Sequence, residues 1–335
     1  MVRIALWAVV AVFIGLNALA LVHGYRLTHF AAAGPVPRRP TGLSAWQIAK
    51  LVLTGIAIPR PKDEFQQETF GCGAEAFTFP LGAGPHKRLA ALRIPAEIPD
   101  GAPARGAVLL FHGYAASKGL VVKEAQAFAE LGWDAVLVDF RGAGGSPGAD
   151  TTIGWREAED VAAAVEGIRA HDRAAGRPGR PVVVYGVSMG AAAAMRAVGR
   201  LGCRVDGLVL ECPFPDLQST IAHRFQALGM PAFPMAHLLV FWGGAVHGFW
   251  AFSHNPEIYA ADIRCPALVN SGDDDPFITP TESARVAAAL ASPEKRHTAY
   301  PGMGHYLYMR GNPDRWRSDV AWLLDKAARR ATPRE

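Results

Sequence analysis

The sequence PVVVYGVSMGAAAAMRAVG, residues 181–199, places one serine between two glycines. Its first part, residues 182–185, is short, β-branched and aromatic, which predicts a central strand of a parallel sheet covered on both faces. The alanine-rich part that follows predicts a helix. Between them, Gly186 to Gly190 fits the pattern G-x-S-x-G, in which small residues let the chain turn sharply from strand to helix.

Ser188 is therefore the candidate nucleophile. At a helix N-terminus, free backbone N–H groups and the helix dipole would stabilise an oxyanion that forms beside the serine. An ordinary glycine-flanked turn is the alternative, but the strand and helix on either side favour the catalytic interpretation. A serine hydroxyl is a poor nucleophile by itself, so the hypothesis requires an acid and then a histidine further along the chain.

The acid is expected in SGDDDPFITP, residues 271–280, because a short apolar run leads into it and so places a carboxylate just past a strand end. Of the three aspartates we favour Asp275, which directly precedes the apolar end of this motif. Asp273 and Asp274 are expected to cap the turn or the next helix. Glu211, at the end of another apolar run, is the alternative acid.

The general base is expected in HTAYPGMGHYLY, residues 297–308. There His305 lies in a glycine-rich loop after a short apolar run. A loop histidine that only bonds to its neighbours is the alternative. The position of His305 after the acid and near the C-terminus favours the role of base.

The second oxyanion donor is expected in FHGYAAS, residues 111–117, directly after a predicted strand. We predict that the backbone N–H groups of Tyr114 and Met189 form the oxyanion hole. His112, at the strand end, is expected to hold the loop through hydrogen bonds.

Five motifs occur in order between about residue 65 and the C-terminus, each near a predicted strand end: FHGYAAS, VDFRGAGGSPG with Asp160 downstream, GVSMG, GDDDPFITP and GMGH. On these motifs the chain resembles the α/β-hydrolase superfamily, and within it the serine-aminopeptidase-like branch that also includes membrane-associated acyl hydrolases. The resemblance implies a mostly parallel sheet flanked by helices and no metal or organic cofactor. It assigns a catalytic triad to Ser188, Asp275 and His305, with oxyanion donors at Met189 and Tyr114.

Periodicity predicts an α/β architecture of eight strands and alternating helices. The strands are expected near residues 70–79, 89–94, 107–111, 135–139, 182–185, 207–211, 267–271 and 298–300. The helices are expected near residues 118–131, 156–171, 189–200, 281–291 and 313–329. We assign residues 65–335 to the hydrolase domain, with a short apolar cap inserted at about 213–262.

Several partner classes are disfavoured by composition. The formal net charge of +4 is scattered and forms no basic stripe interleaved with aromatic residues, so nucleic acid is not expected as a partner. The glycine-rich loop at residues 141–148 lacks the lysine of a phosphate-binding loop and is expected to be held by Asp139 and Arg141. The four cysteines show no C-x-x-C spacing and are expected to be small buried residues, with no disulfide assignable from sequence.

The N-terminal segment, residues 1–30, is predicted to be a transmembrane signal anchor, because its apolar run at residues 4–22 nearly matches the ~20 residues that span a bilayer. The catalytic domain would then be extracytoplasmic. Cleavage near the small residues 18–20 is the alternative and would give a secreted or periplasmic protein.

Residues 31–64 are interpreted as a linker followed by an apolar helix, which Ser44 and Gln47 would open with a capping box. We expect this helix to cover residues 45–58 and to pack on the hydrolase core. Lying on the membrane surface is the alternative.

The predicted substrate class rests on the residue composition of the cap. Residues 217–256 contain no Asp or Glu and many aromatic and aliphatic side chains. An aminopeptidase needs an acid to pair with the substrate's ammonium group. We therefore expect a small-molecule or lipid-like substrate, an ester or thioester of an apolar acyl group. The alternatives are a serine peptidase or aminopeptidase, and a catalytically silent membrane-anchored binding protein.

Overall fold

An eight-stranded sheet forms the centre of the computed structural model, which describes residues 1–34, 44–63, 73–81, 88–98 and 102–331. The strands follow one another across the sheet in the order β1-β2-β4-β3-β5-β6-β7-β8. Among the described strands only β2 runs antiparallel to its neighbours, β1 and β4, so the predicted mostly parallel sheet is confirmed. The strand bounds are β1 (Glu75–Pro80), β2 (Arg88–Ile94), β3 (Ala107–Phe111), β4 (Asp134–Val138), β5 (Val182–Val187), β6 (Gly207–Glu211), β7 (Ala267–Gly272) and β8 (Lys295–Tyr300).

Helices cover both faces of this sheet, as crossover connections between parallel strands require. Side chains of α4, α5, α8 and α9 contribute to the core on one face, and side chains of α3 and α10 to the core on the other. The helix bounds are α1 (Val2–Thr28), α2 (Ala45–Thr54), α3 (Val122–Glu130), α4 (Glu157–Ala174), α5 (Met189–Gly199), α6 (Leu217–Ala227), α7 (Met235–Ala245), α8 (Pro256–Ala260), α9 (Pro280–Ala289) and α10 (Pro313–Ala331).

The predicted elements recur with small shifts at their ends. The expected helix at 118–131 begins with a 3-10 turn, Lys118–Val121, before α3. The last strand starts three residues earlier than expected, and β1 starts at Glu75, while residues 70–72 of its expected range lie outside the described residues. Within α10 an apolar stripe is buried: Trp316, Val320, Leu323, Leu324 and Ala327.

The apolar helix α2 differs from the prediction in its end and in its packing. Its capping box is present, because Gln47 N donates to Ser44 Oγ (3.3 Å) and Ser44 N donates to Gln47 Oε1 (2.8 Å). The helix ends at Thr54 rather than residue 58, since Gly55 follows in the left-handed conformation (φ +73°) that stops helices. Trp46 and Leu53 are 73% and 67% exposed, so the expectation that they pack on the core is wrong.

The N-terminal helix α1 is 27 residues long and apolar enough to cross a membrane, a property that it shares with signal sequences. Its C-terminal half packs against α7 of the cap. A Cβ atom added to Gly24 would lie 3.2 Å from the backbone nitrogen of Gly243, so the two helices approach closely there. Nearby, Trp242 Nε1 donates to Asn17 Oδ1 (3.1 Å).

Three of the four cysteines lie within the described residues and are free thiols. Cys212 and Cys265 are buried and Cys203 is half-buried, as expected for small apolar residues. Cys72 lies outside the described residues.

Candidate active site

The turn between β5 and α5 holds Ser188 in a strained conformation, with φ 51° and ψ −108°. Two glycines make this turn sterically accessible. A Cβ atom added to Gly186 would lie 2.5 Å from the carbonyl group of Gly190, and one added to Gly190 would lie 2.6 Å from Phe111 O. The sharp strand-to-helix turn expected from the G-x-S-x-G pattern is therefore confirmed, and it points the serine out of the sheet edge.

His305 lies between Ser188 and Asp275. Its Nε2 is 3.0 Å from Ser188 Oγ, and its Nδ1 is 2.7 Å from Asp275 Oδ2. The other carboxylate oxygen of Asp275 accepts hydrogen bonds from the backbone N–H groups of Phe277 (2.8 Å) and Ile278 (3.1 Å). Residues far apart in sequence meet here because β5, β7 and β8 are parallel and their carboxyl ends share one edge of the sheet.

These three side chains are largely shielded from solvent. Ser188 is 9% exposed and Asp275 is 7% exposed. Charge interactions are stronger in such surroundings than in water. The arrangement is that of a hydroxyl beside a base whose ring is oriented by a third group, which is the geometry that activates a serine.

The neighbouring aspartates have other contacts. Asp273 Oδ1 accepts a hydrogen bond from Gly302 N (2.6 Å), which ties the turn after β7 to the loop after β8. Asp274 N donates to Met303 O (3.0 Å) in the same pair of loops. Asp273 thus caps the turn, as the sequence suggested.

The alternative acid, Glu211, is fully buried at the end of β6. Its carboxylate accepts hydrogen bonds from Trp316 Nε1 (2.5 Å) and Tyr308 N (3.3 Å). Burial, together with the nearby carboxylate of Glu124, raises the pKa of Glu211 to about 7. The bonds of Glu211 lead to Trp316 of α10 and to Tyr308, and the carboxylate that contacts His305 is Asp275.

The candidate oxyanion donors lie on either side of the serine. Met189 is the first residue of α5, so its N–H has no partner inside the helix. Gly113 is next to Ser188 in space, because an added Cβ would lie 3.9 Å from Ser188 Cβ. Tyr114 follows directly, and its phenol donates to Leu27 O of α1 (2.5 Å).

His112 fixes the loop that carries these residues, which is the role expected from its sequence position. Its Nδ1 is 2.8 Å from Gly113 O, and its Nε2 accepts a hydrogen bond from Phe140 N (3.2 Å). Burial lowers the pKa of His112, with weaker opposing effects from its neighbours. A neutral, buried imidazole suits a structural role in the loop.

A buried ion-pair network links the end of the loop after β3 to the glycine-rich loop at residues 141–148. Asp139 accepts hydrogen bonds from Lys118 N (2.7 Å), Lys118 Nζ (2.8 Å) and Gly145 N (3.0 Å). Arg141 binds Asp160 through Nε (2.9 Å) and Nη2 (2.6 Å). The expected roles of Asp139 and Arg141 are present, while Lys118 was not anticipated because a lysine in a polar loop carries no sequence signal of burial.

Glu157 organises a second loop that sequence reasoning missed. Its buried carboxylate accepts hydrogen bonds from Thr151 Oγ1 (2.6 Å), Thr152 N (2.9 Å), Thr152 Oγ1 (2.6 Å) and Gly154 N (3.0 Å). Burial acts to raise the pKa of Glu157, but these hydrogen bonds outweigh it and the pKa is lowered. Thr151 also contacts the sulfur of Met189 (3.5 Å), so the loop lies beside the nucleophile turn.

A small apolar cavity of about 40 Å³, partly open to solvent, lies between α1, this loop and the cap helices α6 and α7. Its lining includes Gly24, Leu27, Ile153, Ile221 and Val240. Leu27 is the residue whose carbonyl oxygen binds Tyr114, so the cavity adjoins the candidate oxyanion loop. The contribution of α1 to this lining was not predicted, because no sequence motif indicates that an apolar N-terminal run packs on the cap.

Residues 102–240 match the model of a family described as serine aminopeptidase, S33. An uncharacterised protein of Mycobacterium tuberculosis is 29% identical over 84% of this chain and 79% of its own length. A monoacylglycerol lipase of Mycolicibacterium smegmatis is 26% identical over 68% of this chain and 90% of its own length.

Solved structures show the same fold. An esterase of Pyrococcus furiosus superposes with a TM-score of 0.64 at 20% identity, covering 80% of this chain and 96% of the esterase. The relatives support hydrolase activity in general. From its strand order and these similarities, the chain has the fold of the α/β-hydrolase superfamily.

Proposed function

We propose that the protein is a serine hydrolase that cleaves carboxylic esters of apolar acyl groups, with Ser188, His305 and Asp275 as its catalytic triad. The observation that carries the proposal is the pair of short contacts that links Ser188 Oγ through the His305 ring to Asp275. Relatives with hydrolase names support the reaction class.

The proposed reaction has two stages. As Ser188 Oγ forms a bond to the substrate carbonyl carbon, His305 Nε2 accepts its proton and the carbonyl electron pair moves to the oxygen. The N–H groups of Met189 and Tyr114 would bind that oxyanion. Its collapse breaks the ester bond, and His305 gives the proton to the departing alcohol. Water then repeats the sequence on the acyl-enzyme, while Asp275 keeps the imidazole oriented and stabilises its charged form.

The acyl preference rests on the cavity and on charge. The cavity between α1 and the cap, which adjoins Tyr114 through Leu27, is lined largely by aliphatic side chains and glycines, which suits an alkyl chain. Residues 217–256 supply no carboxylate to pair with an ammonium group, which disfavours an aminopeptidase. The similarity to a monoacylglycerol lipase points in the same direction. Thioesters of the same acyl groups are included in the proposal, because they undergo the same acyl transfer.

We propose further that α1 stays attached and holds the enzyme at a membrane. Cleavage near residue 20 would remove Asn17, which binds Trp242, and would cut the helix beside the buried Ala20. Other apolar side chains near this end of the molecule are exposed, as a membrane-facing surface would require: Trp46, Leu53, Leu228, Met230, Phe233 and Trp250. The extracytoplasmic location of the catalytic domain stays a prediction.

Labelling with a fluorophosphonate probe tests the nucleophile. The full-length protein in a neutral detergent is expected to be labelled, and Ser188→Ala is expected to abolish the label. The matched control is Ser253→Ala, which removes an exposed cap hydroxyl and should leave labelling unchanged. Absence of label on the folded wild-type protein, or label that persists in Ser188→Ala, would overturn the proposal.

The substrate class is tested with acyl esters of increasing chain length beside aminoacyl amides. We expect kcat/KM to rise with chain length and amides to react slowly. Faster cleavage of aminoacyl amides would favour the peptidase alternative. Sequencing the N-terminus of the membrane-associated protein tests whether α1 is retained.

A further inference from the structure

Arg224, on cap helix α6, faces the candidate active site. Its guanidinium carbon lies 4.7 Å from the ring centroid of Phe277, and that ring packs edge-on against the His305 ring with centroids 5.5 Å apart. The side chain is held in place by its own helix, since Nη1 donates to Thr220 O (2.8 Å) and Thr220 Oγ1 (2.5 Å). The cation is thus fixed one aromatic ring away from the proposed general base.

Among the residues that the structure describes, this cation has no close counter-ion. Within the described ranges, no carboxylate oxygen lies within 4.0 Å of an Arg224 nitrogen, and residues 217–256 contain no acid at all. By contrast, Arg285 is paired with Glu257, and Arg200 is paired with Asp262.

The nearest relevant anion, Asp275, is already engaged. One of its oxygens contacts His305 and the other accepts two backbone hydrogen bonds. Burial lowers the pKa of the Arg224 guanidinium, and the charge of Asp275 opposes this effect only in part. A half-buried cation without a close partner is unfavourable unless a ligand supplies the negative charge.

Two donor nitrogens of Arg224, Nε and Nη2, have the bidentate geometry that binds an anion. Both Nη1 contacts go to Thr220, and among the described residues no hydrogen bond is made by Nε or Nη2 of Arg224. These two nitrogens present parallel N–H groups, which bind the two oxygens of a phosphate or carboxylate.

We infer that Arg224 binds an anionic oxygen group of the substrate, so that the preferred ester is an acidic amphiphile with an apolar acyl chain. This inference rests on the proposed ester hydrolysis and adds a charge preference to it. The acyl chain would occupy the cavity beside α1, and the acidic group would lie under α6, on the His305 side of the scissile bond. Phosphate is the probe of choice because its tetrahedral oxygens satisfy these two donors from several directions.

The test compares full-length wild-type protein, Arg224→Gln, Arg224→Lys and the control Arg285→Gln in a neutral detergent. Each is assayed with monooleoylglycerol and with monooleoylglycerol phosphate, which share the acyl chain and the ester. We expect wild type to prefer the phosphate ester. Arg224→Gln should lower the ratio of the two kcat/KM values by roughly tenfold to a hundredfold, which is the effect of losing charge-assisted hydrogen bonds. Arg224→Lys should recover part of the ratio, and Arg285→Gln should leave it unchanged.

A binding measurement makes the result independent of turnover. In the Ser188→Ala background, the dissociation constant of the phosphate ester should rise in Arg224→Gln by a similar factor, with melting temperature as the check on folding. A ratio of the two kcat/KM values that stays unchanged in Arg224→Gln, including an equal loss for both esters, would overturn the inference. If wild type cleaves neutral esters and carries the Ser188 label, such a result leaves the proposed function intact. If wild type shows neither the Ser188 label nor cleavage of any ester, the proposed function itself is overturned.

Discussion

The carboxyl edge of the sheet and the cap with α1 are held together by different interactions. At the sheet edge, three polar side chains are fixed by directional contacts of 2.7 to 3.1 Å from short loops. Between α1 and the cap, the contacts are mainly apolar, and a close approach of two glycines sets the helix separation. Under the proposed function, the chemistry would depend on single hydrogen bonds, whereas substrate selection would depend on volume and on the charge of Arg224.

The largest expected effect is at the sheet edge. His305→Gln removes the proposed base, and kcat for a short-chain ester should fall by roughly 10⁴-fold, the scale seen when a triad is disabled. His297→Gln is the control, because His297 is an exposed histidine on β8 that bonds Ser271 Oγ (2.9 Å). Equal losses in both variants would argue against His305 as the base.

The next largest effect is expected from steric crowding in the turn at residues 186–190, which holds Ser188. Gly190→Ala would place a Cβ atom 2.6 Å from Phe111 O, a backbone atom that cannot move freely. We expect a loss of more than about 2 kcal/mol in the free energy of unfolding, measured by denaturant titration in detergent, together with loss of labelling. Gly243→Ala in the cap meets no atom within 4 Å and should be neutral or slightly stabilising. A well-folded, fully active Gly190→Ala variant would contradict this description of the turn.

The pH dependence of the free energy of unfolding should show that Glu211 is a buried structural carboxyl and not the acid of the proposed triad. The pKa of this buried carboxyl is raised from 4.5 to about 7 in the folded state. Between those values the folded protein holds a proton that the unfolded chain releases, so stability falls as pH rises from about 4.5 to about 7. Glu211→Gln should remove a pH-dependent loss on the order of 3 kcal/mol, measured by unfolding at several pH values. The exposed control Glu130→Gln should keep the wild-type slope, and an identical slope in Glu211→Gln would refute the assignment.

The smallest expected effect concerns the cap. Gly24→Leu adds volume where α1 meets α7, and it should lower kcat/KM for long-chain esters by roughly fivefold to tenfold while short-chain esters are less affected. Gly15→Leu is the matched control on the same helix, because no atom lies within 4 Å of an added Cβ there. Loss of activity that is independent of chain length would show that α1 does not shape the acyl pocket.

The sheet edge could be predicted from the sequence because its signals are local. The G-x-S-x-G turn, the aspartate after β7 and the histidine after β8 each follow an apolar strand, and parallel topology brings strand ends together. Even the choice among three adjacent aspartates could be argued from the Pro-Phe-Ile that follows Asp275, and the structure has this carboxylate beside His305.

The cap was less predictable because its contacts depend on tertiary packing. The close approach of Gly24 to Gly243 has no sequence signature, and neither does the orientation of Arg224 toward Phe277. The expected packing of α2 on the core is wrong at Trp46 and Leu53, which are exposed, since an apolar residue on a helix does not say whether protein or lipid covers it.

The most direct test of the central proposal is capture of the acyl-enzyme. We would mix the full-length protein with a chromogenic ester of an apolar acyl group, follow the pre-steady-state burst, and digest the quenched protein for mass analysis. The proposal predicts a burst close to one equivalent and an acyl group on the peptide that contains Ser188, both absent in Ser188→Ala. Ester hydrolysis that persists in Ser188→Ala, or acylation of another residue, would contradict it.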